Sequence, residues 1–123
     1  MHEMGLMAEM VEVLGRSARE NKILKINKVQ IVVGKMTMAL PDALRMAFDA
    51  YKTENLFSSS AELDIEERET KAHCHTCGNL FLVPDNYLFI CPECQGLKIE
   101  IVSGRELYIA SFEGEEVEDD DHS

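Results

Sequence analysis

Apolar side chains recur at helical spacing from the start of the chain. Leu6, Met7, Met10, Val11 and Leu14 fall at i, i+1, i+4, i+5 and i+8 and form one stripe. Glu9, Glu12, Arg16 and Arg19 lie mostly off it, so the pattern predicts an amphipathic helix over residues 4–20. Residues 26–34 then concentrate β-branched side chains (Ile26, Val29, Ile31, Val32, Val33) and stop at Gly34, which predicts a strand. Pro41 and Asp42 suit the first turn of a second helix, where proline lacks only an orphan N–H and the carboxylate meets the helix dipole. Leu44, Ala47, Phe48 and Tyr51 continue one face of that helix to about Asn55. Ser58, Ser59 and Ser60 read as a loop, and Leu63 and Ile65 alternate with Glu62, Asp64 and Glu66 as in a half-buried strand.

A cysteine-bearing segment occupies about residues 72–96. After it, Leu107, Ile109 and Ser111 alternate with Tyr108, Ala110 and Phe112, which predicts a last strand. The order implies an α+β fold: two helices on a small mixed three-stranded sheet with an inserted four-cysteine, zinc-ribbon-like module. The expected boundaries are residues 1–70 plus 97–113 for an α/β domain, 71–96 for the metal module, and 114–123 for a disordered acidic tail. There are no internal repeats.

Charge sharpens the last boundary. The chain of 123 residues carries a net charge of -11, yet Glu113 to Ser123 hold seven of its 23 acids and no Lys or Arg, leaving about -4 for the remainder. Such a block repels itself and is most simply a solvated, solubilising tail, with cation collection or partner docking, aided by His122, as the sharper alternative. The N-terminus has no basic region followed by an apolar stretch, and no run approaches the ~18 apolar residues of a membrane span. These features point to a cytoplasmic protein, in which cysteines stay reduced and paired C-x-x-C motifs serve metals.

Cys74, Cys77, Cys91 and Cys94 form C-H-T-C and C-P-E-C, separated by thirteen residues. Two such turns facing each other present four thiolates at tetrahedral disposition, which suits Zn²⁺. Gly78 and Gly96 stand where these turns need relaxed backbone angles. A short hairpin through Leu82 to Ile90 fits the spacer, and Phe81, Leu82, Tyr87, Leu88 and Phe89 are expected to cover the site. A rubredoxin-type iron centre and a redox disulfide are the rivals. Four cysteines saturate the ion, so the site is expected to be structural. His73 and His75 flank Cys74 and read either as exposed knuckle residues or as imidazoles able to replace a thiolate.

Met1, His2 and Glu3 offer a different chemistry. The Met1 α-amine, the deprotonated His2 amide nitrogen and the His2 imidazole can chelate one ion through adjacent rings, a donor set suited to Ni(II) or Cu(II). Glu3 can add an oxygen, or accept a hydrogen bond from a group that does bind the ion, and the bulk of His2 favours retention of Met1. On residue types alone a plain surface histidine is the simpler reading. Asp42 could assist such a site but suits the first turn of its helix better. Met4, Met7, Met10, Met36, Met38 and Met46 could suggest thioether copper binding, although Met7 and Met10 lie on the apolar stripe and read as core.

The set as a whole resembles the HypA/HybF family of hydrogenase nickel-incorporation proteins. The resemblance rests on the opening M-H-E-M-G-L, V-Q-I-V-V-G-K, P-D-A-L-R-M-A-F, C-x-x-C…C-P-x-C and the terminal G-R-E-L-Y-I-A-S-F, in that order over residues 1 to about 113. It implies a nickel metallochaperone, not an enzyme, delivering Ni²⁺ during [NiFe] hydrogenase maturation and in some members to urease. Nickel would be held by Met1, His2 and Glu3, and structural zinc by the four cysteines. The implied partners are a nickel-binding maturation GTPase and a hydrogenase large subunit or urease accessory protein, with the chaperone a monomer or homodimer. Gly5 stands where members commonly have Ser, and Gln95 intervenes between Cys94 and Gly96 where a glycine often follows directly. The acidic tail lies outside the family pattern. A zinc-ribbon interaction or nucleic-acid module is the alternative, but Ala72–Gly96 contains no Lys or Arg to meet phosphates. No nucleophile–base pair or open catalytic metal supports an enzyme.

Overall fold

A computed structural model describes residues 3–84 and 87–116. Met1 and His2, and residues 117–123 of the acidic run, lie outside the described residues, as do the expectations placed on them. The elements are α1 (Glu3–Glu20), β1 (Ile23–Gly34), α2 (Pro41–Tyr51), β2 (Phe57–Arg68), β3 (Lys71–Cys74), β4 (Leu80–Leu82), β5 (Ile99–Ser103) and β6 (Leu107–Glu116). One three-stranded sheet has the order β2-β1-β6, and a second has the order β4-β3-β5. The expected α+β class, two helices with a mixed three-stranded sheet and a four-cysteine module, is the one observed. The second small sheet adds to that expectation.

Two compact units divide the chain: Met1–Ile31, Ala39–Ile65 and Ile109–Ser123 form one, and Val32–Met38 and Glu66–Tyr108 the other. In the first, α1 buries Met7, Met10, Leu14 and Ala18, and α2 buries Leu44, Ala47 and Phe48. These apolar stripes, and Ile26, Val29 and Ile31 of β1, build the core. Phe48 meets Phe57 of β2 edge-to-face at 5.3 Å, a geometry that adds to simple burial. Met4, Met38 and Met46 are exposed, whereas Met7 and Met10 are buried and serve packing.

The serine run is a correction. Ser58–Ser60 belong to β2, in which Phe57, Ala61 and Leu63 are buried on one face. Ser59 and the small Ala61 occupy positions of that face, so residues with little side chain hide the period of two. β6 also departs from simple alternation. Leu107 and Ile109 are half-buried, Ala110 and Ser111 are both exposed, and Phe112 is half-buried. The phase slips by one residue, as an extra residue in a strand produces, so Phe112 and not Ser111 turns inward. The strand continues to Glu116, three residues into the segment 114–123.

Candidate metal centre

The expected hairpin through Leu82–Ile90 is replaced by one around the first cysteine turn. β3 pairs antiparallel with β4, with Ala72 opposite Phe81 and His73 opposite Leu80, and pairs on its other side with β5. Residues 88–91 form no strand. Leu82 and Leu88, expected to cover the site, are exposed, whereas Ala72 and Val83 are buried. Phe81, Tyr87 and Phe89, the other residues expected there, are half-buried.

The two C-x-x-C turns have the same hydrogen bonds. Gly78 N–H donates to Cys74 O, and Gln95 N–H to Cys91 O, each at 2.8 Å. Cys74 N–H donates to Asn79 O at 2.8 Å, and Cys91 N–H to Gly96 O at 3.1 Å. In both turns the residue after the second cysteine has a positive φ, +80° at Gly78 and 60° at Gln95. Gly96 is therefore not the relaxed position of its turn. It serves space: a Cβ there would lie 3.2 Å from Cys94 Sγ and 3.4 Å from Thr76 Oγ1. A non-glycine residue in the left-handed region costs about 1 kcal/mol. Gln95→Gly is accordingly expected to stabilise the metal-loaded protein by about 1 kcal/mol, and Gly78→Gln to destabilise it similarly. Denaturant unfolding of both variants checks the pair, since no atom lies within 4 Å of a Cβ at Gly78 to confuse the backbone effect.

The four sulfurs converge, all within 4.8 Å of one another. Cys74 Sγ lies 3.6 Å from Cys94 Sγ, and Cys77 Sγ lies 3.5 Å from Cys91 Sγ. A tetrahedral ion with metal–sulfur bonds of ~2.3 Å requires sulfurs about 3.8 Å apart, so the cage fits with little movement. Cys74 and Cys91 are buried, and Cys77 and Cys94 exposed. Asn79 Nδ2 and Gly96 N–H approach Cys91 and Cys94 at 3.8 and 3.4 Å.

The environment separates the thiols into two kinds. The Cys77 and Thr76 N–H groups, with the Cys94 thiol, lower Cys74 against the effect of burial. Burial pushes Cys91 up, but N–H groups of Cys94 and Glu93, then Cys77 and Asn79, bring it down to about 6. The Asn79 N–H lowers Cys77, yet Cys91, burial and the other two sulfurs outweigh it and push it up to about 12. The Gly96 N–H lowers Cys94, and Cys74 with burial raises it overall. In each short sulfur pair one thiol is thus lowered (Cys74, Cys91) and its neighbour raised (Cys94, Cys77). A divalent cation at the centre requires the thiolate form of the cysteines that bind it.

Of the three N-terminal residues, Glu3 alone is among the described residues. It opens α1, and its Oε2 accepts a hydrogen bond from Leu40 N–H at 3.0 Å. Leu40 is the N-cap of α2, with Asp42 in the next turn. The start of α1 is therefore tied to the start of α2 at the residue that follows His2.

The family model for "Hydrogenase/urease nickel incorporation, metallochaperone, hypA" matches residues 1–114. The chain belongs to the HypA family. Among relatives, the hydrogenase maturation factor HypA of Desulfitobacterium hafniense is 40% identical over 116 residues, covering 94% of this chain and 100% of that protein. That of Moorella thermoacetica is 36% identical over 115 residues, with the same coverage. The fold is also that of the Ni metallochaperone HypA from Helicobacter pylori, determined in solution, with a TM-score of 0.63 at 23% identity over 97% of this chain and 100% of that one. The resemblance read from the motifs is thus confirmed at the level of the family, a family of nickel-incorporation and maturation factors.

His73 and His75 lie beside Cys74 in sequence but not on its side of the strand. Cys74 and Ala72 are the buried residues of β3; His73 alternates with them on the opposite face, and His75, in the turn after the strand, meets its ring edge-to-face. There they gather with Glu100 of β5, a residue that sequence reading does not single out. In this arrangement the imidazoles cluster apart from the four sulfurs.

Proposed function

We propose that this chain is a nickel metallochaperone that carries Ni²⁺ at Met1, His2 and Glu3, and that Zn²⁺ bound by Cys74, Cys77, Cys91 and Cys94 holds the fold. The observation carrying the reading is the family match from residue 1 to 114, which spans both donor sets. The cysteine cage, once loaded, has no open position and suits a resident ion. The amine–amide–imidazole set sits at the chain end, where ligand exchange is easy. Glu3, tied to Leu40, gives that set a fixed base. Its binding costs protons, so nickel affinity falls as pH drops through the imidazole range.

The cargo is delivered in the cytoplasm to [NiFe] hydrogenase maturation, and to urease where the cell makes it, through a nickel-binding GTPase and then the hydrogenase large subunit or a urease accessory protein. The chain acts by ligand exchange and not by catalysis. Nickel titration by calorimetry at pH 7.5 tests the reading, comparing the native terminus with a chain carrying one glycine before Met1. The extension is expected to remove the N-terminal binding event while zinc stays at one per chain. Identical isotherms would place the cargo elsewhere.

A further inference from the structure

We propose that His73, His75 and Glu100 form a second, open binding site for a borderline divalent transition-metal ion such as Ni²⁺, on the outward face of the β4-β3-β5 sheet. One ligand atom from each of the three side chains lies within 4.8 Å of the others. His73 points outward from β3, and His75, in the turn that follows, brings its ring against it. The antiparallel register sets Glu100 directly opposite His73. His75 Nε2 lies 3.2 Å from Glu100 Oε1, and the two imidazoles meet edge-to-face with centroids 5.0 Å apart.

Two imidazole nitrogens and one carboxylate oxygen on one face are a donor set for first-row divalent ions, with the remaining positions left to water. Metal–nitrogen bonds of ~2.1 Å place neighbouring donors about 3 Å apart, within reach of small side-chain rotations from the observed spacing. The backbone beneath is already fixed. β3 is paired on both sides, and His75 N–H donates to Lys98 O at 2.9 Å. The His75 and Glu100 side chains are 53% and 58% exposed, so an ion enters without leaving water entirely. No ligand is shared with the cysteine cage, because Cys74 faces the other side of β3. The site therefore differs in kind from the cage: three donors and exchangeable waters permit an ion to arrive and leave. It does not depend on the N-terminal nickel reading.

The test is Ni²⁺ titration of the full zinc-loaded chain by calorimetry and by paramagnetic broadening of amide resonances. Four forms are compared: native, glycine-extended, glycine-extended with His75→Ala, and glycine-extended with Glu100→Gln. Zinc content at one per chain is the control for folding. The extended chain is expected to retain one nickel ion, broadening amides of His73, Leu80 and Glu100. His75→Ala should abolish that event, and Glu100→Gln should weaken it about tenfold or more. An extended chain that binds no nickel overturns the second site and leaves the N-terminal reading standing. Retained binding that neither substitution weakens also overturns it. Equal nickel binding by the native and extended chains, lost through His75→Ala, supports this site and refutes the N-terminal one.

Discussion

Removing the metal from the four cysteines is expected to unfold the unit formed by Val32–Met38 and Glu66–Tyr108. Apart from Val32, Val33, Ala72 and Val83, the buried apolar residues of that unit are Cys74 and Cys91 themselves. A core of three valines, an alanine and two metal ligands is too small to offset the ordering of its chain, the situation in which small folds rely on a metal. Structural zinc supplies an apparent ~10–16 kcal/mol in comparable small folds at neutral pH. A strong chelator, or Cys91→Ser, should therefore abolish hydrogen-exchange protection in β3, β4 and β5. Amides of α1, above Met7, Leu14 and the separate core of the first unit, should keep theirs. Native-like amide dispersion in β3–β5 of metal-free protein would contradict this. The pH dependence has a definite sign. Cys91 is lowered from its ordinary value of 9.0 to about 6 in the folded chain, so at that thiol, between those values, the folded state binds fewer protons than the unfolded one. Cys77, pushed up to about 12, acts in the opposite sense only above 9.0. The Cys91 contribution is complete above the unfolded value and is lost as pH falls through about 6, in the same direction as proton-driven metal release.

What can be read from the sequence is whatever rests on local periodicity or on fixed spacing. The α1 stripe, the β-branched run of β1, Pro41 at the first turn of α2 and the paired C-x-x-C motifs are signals contained within a few residues each. The second sheet escapes such a reading because its strands are short and its pairing is non-local. β5 has a readable β-branched alternation in Ile99–Val102, but nothing nearby indicates that it will lie against His73 and Cys74. The same cause hides the His73–His75–Glu100 cluster: the His-x-His spacing is visible, whereas Glu100 arrives only through the register. Gln95 shows a further limit. A glycine is expected to supply the left-handed residue of the second turn, and the chain places a glutamine there. The nickel donors at Met1 and His2 carry little signal by residue type and become legible only through resemblance.

Gly34 illustrates how a correct sequence reading can rest on an incomplete cause, and it yields a strong stability effect. As a glycine after a β-branched run it marks the end of a strand, and β1 does end there. Its φ is -80°, however, so conformational freedom is not what the position requires. A Cβ at Gly34 would collide with the backbone carbonyl of Gly104, and would lie 2.8 Å from Arg105 N. Gly104 cannot yield, since it has a φ of +117° and sits against Thr70. Gly34→Ala must therefore push the end of β1 away from residues 104–106. That movement breaks Gly34 N–H to Glu106 O at 2.6 Å and Met36 N–H to Gly104 O at 2.9 Å. Two such bonds, one from a buried strand end, contribute about 1 kcal/mol each, and more when a partner is left buried and unpaired. The expected loss is about 3 kcal/mol, which lowers the melting temperature of the metal-loaded protein by about 10 °C or more. Gly5→Ala is the matched control. No atom lies within 4 Å of a Cβ there, and the residue is helical, so the same substitution should stabilise by about 0.5–1 kcal/mol. Opposite signs for one chemical change identify close backbone approach as the cause at Gly34. Equal, small effects would show that the strand end can shift without cost.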